Sequence, residues 1–378
     1  MIQDKRPTLK RRLVLEAMYT AVVLSCVVFG SASAWGQDAT WDGDAGNNWN
    51  SGSNWNPAAV PTDEAFFNEE GNDQAAPTLT ANANINSILF QAGAGNYDIT
   101  TNGFRLSVNG SGVTNSSGVL QQFSNSGVGS TLRFQNSATI SAGIGGIEIV
   151  NGNNGATVFL NSSSAGDARI VNGANGVTRF RDNSSAGNAT ISNDGANALT
   201  NFVDSAQSAN AIITNSNGAR TRFEDTSGAS GTAIVNSSNG TTRFEDSSQA
   251  GGGTQISNFT DGLTVFEDTS TADAVTIINY SGGRTRFDES ATGNSNTTLL
   301  NGVGGALDIS GSNGAVTIGS VVGGGNIFLG ARTLNTGSQN NNETIFGAIQ
   351  NGGVFGGVGG NLVKEGTGTL QLSAANTY

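Results

Sequence analysis

Aspartate carboxylates recur along the middle of the chain at a nearly fixed spacing. They are Asp182, Asp204, Asp225, Asp246 and Asp268. Two carboxylates about 5 Å apart suit a retaining glycosidase, and a pair about 10 Å apart approaches the inverting geometry. A column of aspartates on stacked strands about 4.8 Å apart produces both separations automatically. The spacing therefore leaves open a polysaccharide lyase or hydrolase and favours a structural role, in which each aspartate ends a strand and caps the following Ser/Gly turn.

Other common catalytic groups are scarce. The sequence has no histidine, its single cysteine is Cys26, and Lys364 is the only lysine after residue 34. Ser-His-Asp triads, histidine zinc sites and thiol nucleophiles are therefore excluded from the rest of the chain. The segment Gly302–Ile309 is the nearest approach to a calcium-binding nonapeptide, but it occurs once and lacks the glycine spacing. We predict no catalytic, cofactor-binding or metal-binding residue, no cofactor, and no enzymatic activity.

The aspartates belong to a repeat of 21–22 residues. Its most regular position is a phenylalanine, at Phe159, Phe180, Phe202, Phe223, Phe244, Phe266 and Phe287. A threonine stands two residues before each of them, at Thr157, Thr178, Thr200, Thr221, Thr242, Thr264 and Thr285. An asparagine ends an apolar-x-Asn triplet in the same phase, at Asn151, Asn172, Asn193, Asn215, Asn236, Asn258, Asn279 and Asn301. A period of this length predicts stacked structural units.

Each unit reads as short strands separated by turns. The unit from Asn215 to Asn236 alternates apolar and polar residues with period two around Phe223 and Ile234, and Gly, Ser, Asn and Asp fill the intervals. Ordering one residue costs roughly 1.5 kcal/mol, whereas burying one large apolar side chain returns about 1.5–3 kcal/mol. A single unit is therefore unstable alone, and the sequence predicts an all-β parallel solenoid in which each coil pairs with the next.

The strand period also predicts which side chains face inward. Thr and Phe share the inner face, together with the aspartate two residues later if the strand runs that far. The stacked asparagine amides are expected to bond one another along the axis. The flanking positions face outward and hold arginines and acidic residues that can pair diagonally. They are Arg179, Arg222, Arg243, Arg286, Glu224, Glu245, Glu267 and Asp288.

The first 34 residues have the pattern of a signal peptide. A basic segment (Lys5, Arg6, Lys10, Arg11 and Arg12) precedes the mostly apolar stretch 13–29 and the small residues 32–34. A retained membrane anchor is the alternative, although Glu16 shortens the apolar run. Residues 1–34 carry five of 17 basic and two of 29 acidic residues, so the remainder has a net charge of −15. That charge disfavours nucleic acid and anionic membrane surfaces as partners.

Composition divides the rest of the chain into four segments. Residues 35–74 contain Trp35, Trp41, Trp49 and Trp55 and are predicted to cap the open end of the solenoid, the alternative being carbohydrate binding by stacking. Residues 75–148 are irregular first coils, 149–301 are regular coils, and 302–378 are glycine-rich coils. The last segment ends in NLVKEGTGTLQLSAANTY.

That ending carries a resemblance. The positions that carry it are Leu362, Lys364, Gly366, Gly368, Thr369, Leu370, Leu372, Asn376 and Tyr378. They resemble the autotransporter-associated β-strand repeat of large bacterial passenger proteins, and 40–67 and 110–125 are similar to other parts of such proteins. The resemblance implies a right-handed parallel β-helix exported to the cell surface or medium. The sequence ends within the motif and before a C-terminal barrel, so we expect either a longer gene product or another export route.

These observations predict an exported structural passenger without catalysis: an adhesin, surface component or matrix component of a Gram-negative-type envelope. The partners compatible with this prediction are surface glycans or other cell-surface proteins. We expect that the segment after residue 34 does not insert into a membrane. Two alternatives remain open. One is a β-helix polysaccharide lyase or hydrolase that uses the surface aspartates, and the other is a carbohydrate-binding module in the tryptophan-rich segment.

Overall fold

The computed structural model describes residues 36–378, and Gln37–Tyr378 form one compact unit. The predicted signal peptide and Trp35 lie outside the described residues. The described chain is an all-β parallel solenoid of about 14 turns, with coils about 22 residues apart. This confirms the predicted fold class. The segment boundaries at residues 74, 148 and 301 stay predictions.

Two long sheets and two short ones make up the solenoid. The strands of the first sheet are Ala39–Trp41, Trp55–Asn56, Glu64–Phe67, Ala83–Phe90, Arg105–Asn115, Thr131–Phe134, Thr139–Ser141, Ala156–Phe159, Val177–Phe180, Leu199–Phe202, Arg220–Phe223, Thr241–Phe244, Leu263–Phe266, Arg284–Phe287, Ala306–Asp308, Asn326–Phe328 and Ile349–Gln350. The strands of the second sheet are Asp98–Thr100, Gln121–Ser126, Ile147–Gly152, Arg169–Asn172, Thr190–Asp194, Ile212–Ser216, Ala233–Asn236, Gln255–Asn258, Thr276–Asn279, Thr298–Asn301 and Ser320–Val322.

The short sheets lie in the C-terminal part of the chain. Their strands are Val316–Ile318, Thr333–Thr336 and Asn361–Lys364 in one, and Glu343–Ile345 and Leu370–Leu372 in the other. Two single-turn 3₁₀ helices, Gly52–Asn54 and Asn72–Gln74, lie near the N-terminal end of the described chain. A third row of contacts consists of isolated parallel bridges, which connect residues such as Ser185, Gln207 and Gly228 in successive coils.

Pairing is parallel and keeps like residues together. In the first sheet Thr221 pairs with Thr242 and Phe223 with Phe244, and in the second sheet Asn215 pairs with Asn236. The strands Ala39–Trp41 and Trp55–Asn56 form the antiparallel exception among the described strands. A shift of one residue would move every inward side chain to the outer face, so the buried face fixes this register.

The phenylalanines fill the interior as one column. From Phe159 to Phe287, successive ring centroids lie 4.7–4.9 Å apart and the ring planes differ by 4–10°. The column begins one coil earlier than the sequence predicts, at Phe134, whose ring stacks on Phe159 at 4.8 Å. All of these rings are fully buried. The predicted single interior column is therefore confirmed.

Candidate functional site

The aspartate column lies at a corner of the solenoid. In the coils of Phe180 to Phe266, each strand of the first sheet ends at its phenylalanine, and the aspartate two residues later has a left-handed backbone, with φ of 55° at Asp225 and 54° at Asp246. Both of these side chains are exposed. The condition under which the aspartates would share the inner face is therefore not met, because the strand ends before them and the turn directs them to solvent.

The carboxylates bond the backbone of the neighbouring coil. The amide of Asp204 donates to Oδ2 of Asp225 at 3.0 Å, that of Asp225 to Asp246 at 3.0 Å, and that of Asp246 to Asp268 at 2.9 Å. The predicted cap within the following turn is corrected to a cap of the equivalent turn one coil earlier. Hydrogen bonds to a charged acceptor are shorter and stronger than neutral ones. The aspartates thus tie successive corners together.

The same backbone cap continues beyond the aspartates. The amide of Asn136 donates to Oδ1 of Asn161 at 3.0 Å, and the amide of Asn161 donates to Oδ2 of Asp182 at 2.7 Å. At the other end, the amide of Asp268 donates to Oε2 of Glu289 at 3.1 Å. An amide oxygen and a longer carboxylate therefore serve at this position as well. The position requires an acceptor on a residue that tolerates a positive φ, and a negative charge is not essential.

On the outer face of the first sheet, Arg222, Arg243 and Arg286 pair with acidic residues as predicted, whereas Arg179 does not pair with any acidic residue of the described chain. Arg222 contacts Glu245 one coil on and Glu224 of its own coil, the latter at 3.0 Å, and Arg243 contacts Glu267 at 2.7 Å. The hydrogen bond to Glu245 is the main cause that raises the pKa of Arg222. Pairs this exposed contribute about 0–1 kcal/mol each. They keep the charges neutralised and stabilise the fold only slightly.

A buried amide ladder runs inside the second sheet. From Asn125 to Asn301, each side-chain Nδ2 donates to the Oδ1 of the asparagine one coil on, at 2.7–3.3 Å. The threonine of the first sheet also donates to this Oδ1, as Thr221 does to Asn215 at 2.9 Å. The polar interior is thus satisfied by its own repeat, as buried amides require. The predicted bonding of the asparagine amides along the axis is confirmed.

The described tryptophans are interior residues. Trp41, Trp49 and Trp55 are 0–1% exposed. Trp55 packs edge-on against both others, with ring centroids 5.1 Å from Trp41 and 4.8 Å from Trp49. Their indole faces are covered by each other and by Phe67. These three rings therefore present no stacking platform for a sugar, and they pack at the N-terminal end of the described solenoid.

In the segment Gly302–Ile309, the nearest approach to a calcium-binding loop, the aspartate bonds backbone amides. Asp308 is 7% exposed, and its carboxylate accepts the amides of Ser310 at 2.9 Å and Val354 at 2.8 Å. The second amide comes from the segment 351–360, which folds back over the outer face of the first sheet. Within residues 36–378, no group of three or more acidic, histidine or cysteine side chains has a metal-binding arrangement.

The fold-back also covers Asp288. Arg286 donates to its Oδ2 and lies 5.4 Å from the ring centroid of Phe355, whereas Oδ1 of Asp288 is buried without a hydrogen-bond partner. Burial raises the pKa of the Asp288 carboxyl, and the hydrogen bond from Arg286 opposes this in part. Sequence reasoning missed this contact because Arg286 and Phe355 are far apart in the sequence and meet outside the repeat.

Sequence reasoning placed Arg179 among the arginines that can pair diagonally, but within the described residues it has no ion pair with an acidic residue, and neither have Arg133 and Arg181, which sequence reasoning missed. Arg133, Arg179 and Arg181 lie together on the outer face of the first sheet, beside Val158 and Leu160. The sequence does indicate that these arginines lack acidic partners, through the residue that follows each phenylalanine. It is acidic in the coils of Phe223, Phe244, Phe266 and Phe287, but it is Gln135, Leu160 and Arg181 in the coils of Phe134, Phe159 and Phe180.

Comparison with known proteins adds one finding. The chain is similar to a crystal structure of a TibA55-350 fragment hyper-glycosylated by TibC, at 13% identity and a TM-score of 0.44, over 83% of this chain and 94% of that one. No protein-family model and no curated protein matches the chain. Among the described residues there is no helix long and apolar enough to cross a membrane.

Proposed function

We propose that the chain is an exported structural passenger, an adhesin, surface component or matrix component, that acts without catalysis. The observation that carries this proposal is that the aspartate carboxylates cap turns of the backbone. The four aspartates from Asp204 to Asp268 each accept a backbone amide of the preceding coil. Carboxylates that repeat with the coil and cap its turns suit a scaffold of regular length.

The buried ladders support the same proposal. Phenylalanine and asparagine side chains are used in contacts between coils, and these contacts repeat with little change across many coils. Such a stack holds surface side chains at fixed spacing, which is what a spacer or adhesive stalk needs. The β-helix polysaccharide lyase or hydrolase remains the second candidate, since exposed Asp225 and Asp246 lie one coil apart.

Export is supported by sequence patterns alone. The pattern of residues 1–34 and the resemblance of 362–378 to the autotransporter-associated repeat both favour display on a Gram-negative-type envelope or release to the medium. Surface glycans or cell-surface proteins are the partners we propose. Buried Trp41, Trp49 and Trp55 make stacking of sugars on the tryptophan-rich segment the less favoured binding mode.

Surface accessibility in the producing cell tests this proposal. Antibodies raised against residues 35–378 should label intact cells or detect the chain in the medium, and external protease should remove the cell-bound signal. A periplasmic protein in the same cells should be untouched by protease and serves as the control. A chain that is protected until the envelope is broken, and absent from the medium, would contradict surface display.

A further inference from the structure

A groove on the first sheet is lined by the three unpaired arginines. Arg133, Arg179 and Arg181 surround the apolar side chains of Val158 and Leu160, and the groove has a volume of about 370 Å³. Strand pairing places Arg133 and Arg179 on either side of Val158, in the coils before and after it. With coils about 4.8 Å apart, the two arginines stand about 10 Å apart along the axis.

These arginines differ from their counterparts farther along the sheet. Arg222, Arg243 and Arg286 each contact carboxylates. None of the ion pairs within residues 36–378 involves Arg133, Arg179 or Arg181. The side chain of Arg133 donates to Gln135 at 3.4 Å, and its Nε is buried without a partner.

Acidic residues in the same and following coils have other hydrogen-bond partners. Asp182, which follows Arg181, accepts two hydrogen bonds from Asn161, at 2.7 and 3.3 Å. In the next coils, Glu224 accepts from Asn201 at 3.4 Å and pairs with Arg222 at 3.0 Å. The groove therefore keeps guanidinium donors that no carboxylate of the described chain satisfies.

The charges of the groove favour an anion. Burial, and after it the charge of Arg181, lower the pKa of the Arg179 guanidinium. Arginine nevertheless stays protonated, so the like charges remain and repel. An anion between them removes the repulsion and accepts paired hydrogen bonds from the planar guanidinium forks. The same arrangement would be needless in a surface that serves only as a spacer.

We propose that this groove binds a single anionic group, a carboxylate, sulfate or phosphate, carried on an otherwise neutral glycan. The limit to one charge follows from the surroundings, since the segment after residue 34 has a net charge of −15 and the exposed aspartate column runs along the adjacent corner. A polyanion would be repelled there. Val158 and Leu160 supply apolar contact for a sugar ring. The glycan part of this inference rests on the proposed surface function, whereas the anion part does not.

Titration calorimetry at low salt tests the groove, using the chain produced from residue 1. The probes are inorganic sulfate, a disaccharide with one sulfate ester, and its unsulfated parent. We expect the sulfated disaccharide to bind and the parent not to bind. Arg179→Gln and Arg181→Gln should each weaken binding about tenfold or more, the effect expected for a lost hydrogen bond to a charged group. Arg222→Gln, on the same sheet face but paired with Glu245, should change binding less than about twofold.

Several outcomes would overturn the proposal. They are no binding of the sulfated disaccharide, equal binding of its unsulfated parent, and an equal loss in Arg222→Gln. Binding of inorganic sulfate without the disaccharide contradicts the glycan assignment. Self-association that Arg179→Gln abolishes, without disaccharide binding, would assign the groove to acidic rows of a second copy. Unchanged melting of the variants shows that they fold. Failure here leaves surface accessibility unaffected, so it is distinguishable from failure of the proposed function.

Discussion

The backbone amide of Asp225 donates to the carboxylate of Asp246, one coil farther along, at 3.0 Å. Asp246 has a left-handed backbone with φ of 54°, which aspartate and asparagine tolerate better than other non-glycine residues. One residue type thus meets two requirements, the corner conformation and the acceptor for the preceding coil. The recurrence of aspartate at this position follows from the geometry of the solenoid.

Removal of one ring from the phenylalanine column should destabilise the fold strongly. Phe223 is fully buried and stacks on Phe202 and Phe244. We expect Phe223→Ala to lower the free energy of unfolding by about 3–5 kcal/mol. Arg222→Ala, one position away but facing solvent, should cost less than about 1 kcal/mol. Denaturant unfolding of both variants measures the difference, and equal losses would contradict the assignment of Phe223 to the interior.

Interruption of the amide ladder should also be costly. Asn236→Ala removes the Oδ1 that accepts from Asn215 and Thr242, and the Nδ2 that donates to Asn258. Each buried polar group left without a partner costs about 1–3 kcal/mol. The matched control is Asn210→Ala, whose side chain bonds Asn188 in an exposed position at 3.2 Å. A control variant that melts as low as Asn236→Ala would show that burial of the ladder is unimportant.

Asp288 should give the fold a specific pH dependence. Because burial raises the pKa of this carboxyl in the folded chain, the folded state binds the proton more tightly than the unfolded state. Between the unfolded value, about 4, and the raised folded value, stability from this group falls as pH rises. The melting temperature of Asp288→Asn relative to the parent chain should therefore increase with pH through that window.

The measurement is a series of melting curves for both proteins from pH 4 to pH 8. Asp288→Asn also loses the charge interaction with Arg286, which shifts its melting temperature by a constant amount. The test is therefore how the difference between the two melting temperatures changes with pH. A difference that stays constant, or that decreases with rising pH, would contradict the buried and partly unsatisfied environment of Asp288.

The sequence predicted the interior well because parallel in-register stacking places like residues on like. Once the period was known, Phe223 had to lie against Phe244, and Asn215 against Asn236. The burial of Trp49 and Trp55 followed from the need to close an open apolar end, although the sequence left a sugar-stacking role open.

The sequence did not indicate where each strand ends. Asp225 continues the alternation that Thr221 and Phe223 begin, and only the left-handed turn takes it out of the interior. The fold-back of 351–360 onto Asp308 was not predictable either, because it joins parts of the chain that share no repeat position. Both features depend on local backbone conformation, which a period does not encode.

The central claim, that the aspartates cap turns and perform no catalysis, is tested most directly at Asp246. Asn161 occupies the equivalent position in an earlier coil, and its Oδ1 accepts the amide of Asn136. Asp246→Asn should therefore keep the stability of the parent chain, whereas Asp246→Ala loses the cap and strains the corner, at about 1–3 kcal/mol. The assay is product release from pectins, alginates and glucans, with and without calcium. We predict no release by the parent chain or either variant; release by the parent chain that Asp246→Asn abolishes without loss of stability would contradict the claim.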